Sequence, residues 1–456
     1  MLTEHDRTIV FHTETGAGMS YQNAAASRAI RFLEKQGIFH GTIDVDRCIR
    51  IFREEMVSGL RGQGGSLAMI PTFIDIEHEL PVDRPVGVID AGGTNLRVAL
   101  VTFDEGGSPR IEDFSRHDMP GIGSEISKDE FFGLFARYVK GVAAKVDRIG
   151  FCFSYPVEIT PEKDGRALLF SKEIKAQAVV GELVGENLAR ALADQGVQGS
   201  KRIVVLNDTV ATLLAGRSGA ETRVFDSFLG YILGTGVNAS YIEHSSKIEK
   251  LSLSGMAESQ IINTEAGGFD GIPAGELDRA FHDTTNSPGE YPFEKMVSGG
   301  YLGPLAGLVL TEAAEAGELS PTCSRGITAL DGLDSVQMCD FLFYPFSTAN
   351  PLGALPASSE DRSFIYSVCD NLLERSAKCV AISMAATVIE SGAGIDPCKP
   401  VCITIDGSTY YKMRGLRLKT EYYLKEFLQI RRGIHFETTF VENAPLLGTA
   451  VAGLTN

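Results

Sequence analysis

The stretch 86–103 constrains the fold more than any other part of the chain. Val86-Gly87-Val88-Ile89-Asp90 is a short apolar run that ends on a carboxylate. Ala91-Gly92-Gly93-Thr94-Asn95 is a turn, and Leu96-Arg97-Val98-Ala99-Leu100-Val101-Thr102-Phe103 is a second apolar run. Two β-rich runs joined by a Gly-Gly turn read as a hairpin. Paired glycines let the backbone come close to a ligand and turn successive N–H groups toward an anion. Thr94 and Asn95 add hydrogen-bonding side chains, and Arg97 follows. Asp90 would repel a phosphate unless a Mg²⁺ ion, or its water shell, lies between the two. The stretch therefore reads as a nucleotide-phosphate and Mg²⁺ site. An ordinary tight hairpin is the competing reading, because glycine marks most tight turns.

Size and charge narrow the field. A chain of 456 residues has room for about two or three domains with substantial cores. Apolar content of 44% and charged content of 22% are those of a soluble globular protein. There is no apolar run of about 18 residues, so the sequence predicts no membrane span. The N-terminal stretch carries His, Asp, Glu and Arg without an apolar core, so no secretory signal is read there, and the expected location is cytoplasmic. A net charge of −17 argues against nucleic acid as a partner. It would also repel ATP, so local cations and Mg²⁺ must overcome the field. The eight cysteines contain no Cys-x-x-Cys pair, and Cys398 and Cys402 have no nearby histidine to complete a zinc site. Reduced, mostly buried thiols fit better.

Along the chain, Asn23 is placed to cap a helix over 24–36 that Gly37 stops. A second helix over 44–60 carries Val45, Cys48, Ile49, Phe52, Met56 and Leu60 on one face. After the hairpin come a third strand over 110–117, a helix to Val142 with Ser127 and Glu130 as a capping box, and a buried strand over 149–154. Asp164-Gly165 closes a further hairpin; a helix over 182–193 and a strand over 203–206 then lead to Asn207-Asp208-Thr209. This succession is α/β, and polar residues at strand ends are where such sheets bind ligands. The second half opens alike: an apolar run over 228–233, a Gly234-Thr235-Gly236 turn and a return over 238–243. One glycine-turn hairpin per half suggests a duplicated domain facing itself across a cleft. Later come helices over 301–314 and 363–390, a strand over 401–405 ending at Asp406-Gly407-Ser408, and a helix over 446–454. Residues 319–360 show no readable organisation.

The ordered set of motifs resembles the hexokinase family, within the actin-like superfamily of ATPases. The stretches that carry the resemblance begin with Glu55-Met56, Gly59-Leu60 and Met69-Ile70-Pro71-Thr72. Asp90-Ala91-Gly92-Gly93-Thr94-Asn95-Leu96-Arg97-Val98, Phe153-Ser154-Tyr155-Pro156 and Asn207-Asp208-Thr209-Val210 follow. Gly234-Thr235-Gly236-Val237-Asn238-Ala239, Ile262-Asn263-Thr264-Glu265, Phe293-Glu294-Lys295-Met296-Val297-Ser298-Gly299 and Asp406-Gly407-Ser408 complete the series. The resemblance implies two actin-like, ribonuclease H-like α/β domains with a duplicated core flanking a central cleft. It implies a smaller domain over 86–206, a larger one over 207–440 on which helices of 1–85 pack, and a C-terminal helix in 441–456 returning to the smaller domain.

The resemblance also assigns roles. It implies ATP, Mg²⁺ and a hexose, glucose first, as ligands, with phosphoryl transfer to the 6-hydroxyl. Asp208 is the implied base and Lys172 its catalytic companion. On the residues alone, Asp208 suits a helix N-cap equally well. Ser154, Ser171, Lys172, Asn207, Asp208, Asn238, Glu265 and Glu294 match sugar contacts. Asp90 would hold Mg²⁺ through water. Gly92, Gly93, Thr94, Asn95, Arg97, Thr209, Gly234, Thr235, Gly236, Asp406, Gly407 and Ser408 fall in the nucleotide-side motifs. The chain departs from the family at Ser171-Lys172-Glu173-Ile174-Lys175-Ala176, where Glu173 replaces a glycine, and at Phe170 and Ala266, which stand for tryptophans. Those changes bear on sugar preference. A kinase for another sugar, or a sugar-binding sensor without turnover, are the rival readings. The sequence leaves the oligomeric state open.

Overall fold

The computed structural model describes residues 17–76, 79–93, 95–170, 174–219, 223–251 and 257–456, with side chains from residue 24 onward. The first-half strands are β1 (Ile70–Pro71), β2 (Val86–Ala91), β3 (Asn95–Phe103), β4 (Pro109–Asp118), β5 (Arg148–Phe153), β6 (Val157–Ile159), β7 (Gly165–Ala167) and β8 (Arg202–Leu206). The second-half strands are β9 (Ser227–Leu233), β10 (Val237–His244), β11 (Ser259–Asn263), β12 (Val401–Asp406) and β13 (Phe436–Thr439).

The expected hairpin forms, with Asp90 opposite Arg97 in the β2–β3 pairing. It nucleates a five-stranded sheet of order β4-β3-β2-β5-β8. β3 and β4 are antiparallel to their neighbours, whereas β5 and β8 run parallel to β2. Every residue of β2 is buried, as its unbroken apolar run requires of a strand covered on both faces. β4 is mostly exposed, and its Arg, Glu and Asp side chains suit an edge that must not pair further.

The second sheet repeats the plan. Its order is β1-β11-β10-β9-β12-β13. Strand β9 pairs antiparallel with β10 and parallel with β12, and β12 runs parallel to β13. Numbered from the hairpin that opens each half, both sheets read third-second-first-fourth-fifth, with β1 added at the β11 edge. The duplication suggested by one glycine-turn hairpin per half thus appears in the strand pairing, although the two halves share little sequence.

The helices of the first half are α1 (Ala17–Lys35), α2 (Val45–Arg61), α3 (Lys128–Ala143), α4 (Val184–Asp194) and α5 (Asp208–Ser218). Those that follow are α6 (Glu276–Thr284), α7 (Pro292–Val297), α8 (Leu302–Glu315), α9 (Pro321–Thr328), α10 (Ser335–Phe343), α11 (Ser359–Ser391), α12 (Ser408–Lys412), α13 (Leu416–Leu424) and α14 (Ala444–Thr455). On one face of the first sheet, Phe131, Phe135, Val139 and Val142 of α3 and Leu188 and Leu192 of α4 meet Ile89, Val98, Ile149 and Phe151. On the other, Val210, Leu213 and Leu214 of α5 and Leu446, Ala450 and Leu454 of α14 meet Val86, Val88, Val204 and Leu206. Helices α14 and α5 cross closely: a Cβ on Gly448 would lie 1.7 Å from the Ala211 carbonyl oxygen. No helix among the described residues is long and apolar enough to cross a membrane.

The chain divides into two compact units. One consists of the segment up to Thr42, Ala274–Phe281 and Leu302–Arg375. Within it the buried Arg375 guanidinium takes Asp278 in a two-bond pair, at 2.9 and 2.6 Å. The other, Ile43–Pro273, His282–Tyr301 and Ser376–Asn456, holds both sheets and every described candidate site residue.

Several expectations need correction. Helix α1 starts at Ala17, so Asn23 lies inside it and not at its cap. Residues 319–360, unreadable in sequence, contain α9, capped by Ser320, and α10, which opens with a full capping box between Asp334 and Gln337. Around Ser127 only half the expected box forms, with the serine accepting from the Glu130 N–H. Glu294 lies inside a short helix, α7, ahead of α8.

Candidate active site

Parallel strands deliver their polar residues at their C-terminal ends. Asp90 is the penultimate residue of β2, Asp208 follows β8, Asp406 ends β12, and Glu265 follows β11. Asn207, not Asp208, caps α5: its side chain accepts from the Thr209 N–H at 2.9 Å. Asp208 is therefore the first helical residue and has no capping duty. It is part-exposed between the buried Asn207 and Thr209. Its negative charge reaches across both sheets and raises the proton affinity of Asp90, Glu265 and Asp406.

Asp90 is only 2% exposed. Burial pushes its carboxyl above the ordinary aspartate value; Arg97 opposes that rise and Asp208 adds to it. The Arg97 guanidinium stands 2.5 Å from Oδ2, yet among the described residues that oxygen accepts no well-aligned hydrogen bond. The contact is an ion pair of poor angle, which leaves an acceptor direction unused. Asp406 is shifted the same way, by burial first. Around Asp208 the acids thus outnumber the one described cation that moderates them, Arg97.

A second group is a carboxamide network. Asn263 Nδ2 donates to Glu265 Oε1 at 2.7 Å, and Asn238 Nδ2 donates to the same oxygen at 3.3 Å and to Asn263 Oδ1 at 2.9 Å. Asn238 also lies 3.4 Å from Asn207 Oδ1, so four residues form one connected set. Glu265 adopts a left-handed backbone, φ 55°, which turns its side chain back toward the asparagines. Burial raises its carboxyl above the usual glutamate value, the Asn263 bond lowers it, and Asp208 raises it again. Among the described residues, no hydrogen bond reaches Glu265 Oε2. Glu294 accepts from the Val237 N–H at 3.1 Å. Ser154, part-exposed, is fixed by its own N–H donating to the Ala91 carbonyl.

The two glycine turns are held from behind. Tyr155, fully buried, shares its one hydroxyl hydrogen between the Gly92 and Gly93 carbonyls, each at 3.0 Å. Arg116 donates twice to Asn95 Oδ1, at 2.9 and 2.7 Å. In the second turn, Gly234 accepts from the Thr409 hydroxyl at 2.8 Å and from the Gly299 N–H, while Thr235 accepts from the Gly300 N–H. Gly236 has a packing reason beyond ligand access, because a Cβ there would lie 2.5 Å from Glu294 Oε2. Gly407 needs its φ of 124° and its bare Cα, since a Cβ would fall 2.2 Å from the Leu233 carbonyl oxygen. Thr235 and Ser408 are exposed.

Thr209 must leave the nucleotide set. It is fully buried, and its hydroxyl donates to the Gly230 carbonyl at 2.9 Å, so it ties α5 to β9. Thr94, Ser171 and Lys172, together with Glu173, lie outside the described residues. The remaining candidates gather at the strand ends of the one unit. Sequence reasoning missed Asn263, Arg116, Tyr155 and Thr409 as supports. Asn263 and Tyr155 stood inside quoted motifs, and Thr409 directly follows one. Arg116 had no sequence signal, because its partner is fixed by strand pairing. Tyr291 was also missed; burial, with Glu265, Glu290 and Glu294 nearby, pushes its phenol up to about 12.

Known proteins share this plan. Two models, each described as Hexokinase, match residues 41–218 and 228–455. Hexokinase-7 of Oryza sativa subsp. japonica is 31% identical over 408 residues, covering 82% of this chain and 85% of that protein. The Hexokinase-like 1 protein of Arabidopsis thaliana is 29% identical over 444 residues, 88% of this chain and 86% of that one. Among solved structures, the hexokinase from Schistosoma mansoni complexed with glucose superposes with a TM-score of 0.79 at 22% identity, covering 95% of this chain and 100% of that one. Repeated sheet order, clustered strand-end acids and matched sequence converge: the chain belongs to the hexokinase family.

Proposed function

We propose that the protein is an ATP- and Mg²⁺-dependent hexose kinase that moves the γ-phosphoryl group of ATP to the 6-hydroxyl of glucose or a related hexose. The observation that carries this reading is Asp208, relieved of capping by Asn207 and surrounded by Asp90, Asp406 and Glu265. Asp208 takes the hydroxyl proton as that oxygen attacks the γ-phosphorus, the bond to the bridging oxygen breaks, and ADP leaves. Glu265, through Oε2, and Glu294 accept hydrogen bonds from sugar hydroxyls. Asn207, Asn238 and Ser154 supply further donors and acceptors. Asn95, Arg97, Thr235, Gly92, Gly93, Gly234, Gly236, Asp406, Gly407 and Ser408 serve the nucleotide. Thr94, Ser171 and Lys172 keep the roles the family resemblance implies.

The donors present fit a Mg²⁺ ion that arrives with ATP. No group of three His, Cys, Asp or Glu among the described residues forms a protein cage for a metal. Mg²⁺ usually keeps several waters and takes one or two carboxylates plus substrate phosphates, which suits Asp90 with its unused acceptor direction. When bound, the ion would neutralise developing charge on the phosphates. The test is ADP release measured with ATP and Mg²⁺ over aldohexoses, ketohexoses and pentoses. Glucose-dependent ADP release supports the reading. Sugar binding without ADP release would replace it with a sugar-binding sensor.

A further inference from the structure

Helix α13 and the π-helical turn that continues it, Lys425–Ile430, carry apolar side chains on two opposite faces. Leu416, Leu424, Phe427 and Leu428 point inward and are buried. On the outer side Leu418 is 72% exposed, Tyr422 66% and Ile430 72%. Leu418, Tyr422 and the exposed Lys425 fall at i, i+4 and i+7, which is one stripe of a helix. Scattered apolar residues on a surface need no explanation, but a stripe of them does. Ile430 reaches the outside through the backbone. In a continuous α-helix it would lie about two turns beyond Tyr423, on the buried side. The π turn instead swings Ile430 outward while Phe427 and Leu428 stay packed. Turns of this kind gather at functional sites.

Positive charge surrounds the stripe. Residues 412–432 carry seven Lys and Arg against two acids, Glu421 and Glu426, in a chain of net charge −17. Both acids are engaged: Arg417 Nε donates to Glu421 at 2.9 Å, and Arg431 pairs with Glu426. Asp46, from α2, pairs with Arg431 at 3.2 Å and with Arg432. Cations still exceed these three acids. The remaining acids of the chain act over a Debye length of about 8 Å at physiological salt, so a surface meeting this face senses the local charge. A phosphate backbone would use the cations and leave Leu418, Tyr422 and Ile430 without a role. An anionic lipid surface uses both. Headgroups answer the cations, the apolar side chains enter the headgroup boundary, and Lys and Arg stems reach along it.

We propose that the face formed by Leu418, Tyr422, Lys425 and Ile430 docks the protein reversibly on an anionic phospholipid surface, with α13 lying in the plane of the interface. The inference does not depend on the kinase reading. The test sediments the full chain with vesicles of phosphatidylcholine alone and of phosphatidylcholine mixed with phosphatidylserine. Binding is expected to the mixed vesicles only, to be reversed by high salt, and to weaken about tenfold or more in Leu418→Ser/Tyr422→Ser. Both positions are exposed, so that variant should fold, which circular dichroism would check. The chain has no tryptophan, so Tyr422→Trp places a single reporter on the face. Its emission should shift to the blue on mixed vesicles, whereas Phe346→Trp, at an exposed position elsewhere, should not shift. Failure of the parent to sediment with mixed vesicles, undiminished binding in the double variant, or an unshifted Tyr422→Trp would each overturn the proposal. So would an oligomer of the parent that the double variant dissociates, because a second copy would then cover the face.

Discussion

The negative charge of Asp208 is felt at Asp90, although one follows β8 and the other lies near the end of β2. Two carboxylates placed so that one charge is felt by the other want a cation between or beside them. Arg97 supplies one, at 2.5 Å from Asp90. In the proposed reaction Mg²⁺ supplies another. EDTA should therefore abolish ADP release and added Mg²⁺ restore it. Asp90→Asn should need more Mg²⁺ for half-maximal rate; an unchanged Mg²⁺ requirement in that variant would remove Asp90 from the metal.

Asp208→Asn should fold normally, because Asn207 provides the cap. Its kcat should fall roughly 10²–10⁴-fold, the usual worth of a positioned base. Sugar binding by calorimetry should persist. Near-parental turnover would show that another group takes the proton.

In the proposed reaction Glu265 would tie pH to sugar affinity. Its folded-state pKa lies above that of a free glutamate, chiefly through burial. The folded protein therefore holds this proton to a higher pH than the unfolded chain does. The stability it contributes is largest below the ordinary glutamate range and declines as pH rises through the shifted value. Sugar binding should run the other way, since only the ionised form accepts from hydroxyls on both oxygens. Affinity should weaken as pH falls through that raised pKa, and Glu265→Gln should erase the inflection. The same pH profile in parent and variant would exclude Glu265 as the titrating group.

At Gly236 a methyl group would meet the Glu294 carboxylate, 2.5 Å away. Gly236→Ala should displace that side chain from the Val237 N–H and raise the sugar KM by the equivalent of about 1–3 kcal/mol. The fold should survive, because the obstructing atom is the end of a side chain. An unaltered sugar KM would show that Glu294 does not hold the sugar.

Gly448 sets helix propensity against packing. Alanine there should gain up to about 1 kcal/mol of intrinsic helix stability. Its Cβ would nevertheless sit 1.7 Å from the Ala211 backbone oxygen, and backbone yields far less readily than a side chain. Gly448→Ala should therefore lower the melting temperature. A rise would mean that α14 and α5 do not pack this closely in solution.

Local patterns in the sequence determined the elements and most of the candidate residues. The apolar run ending on Asp90 became β2, the Gly-Gly turn became a hairpin, and strand-end polar motifs fell at strand ends. These features depend on neighbours a few residues away, which a sequence displays directly. Pairing and burial are different, because partners lie far apart along the chain. Only the tertiary structure decided that Asn207 rather than Asp208 caps α5, that Thr209 is buried against Gly230, and that Asn263 and Arg116 hold Glu265 and Asn95. The duplicated strand order, too, is a property of hydrogen bonds between distant strands, which different residues can satisfy equally well.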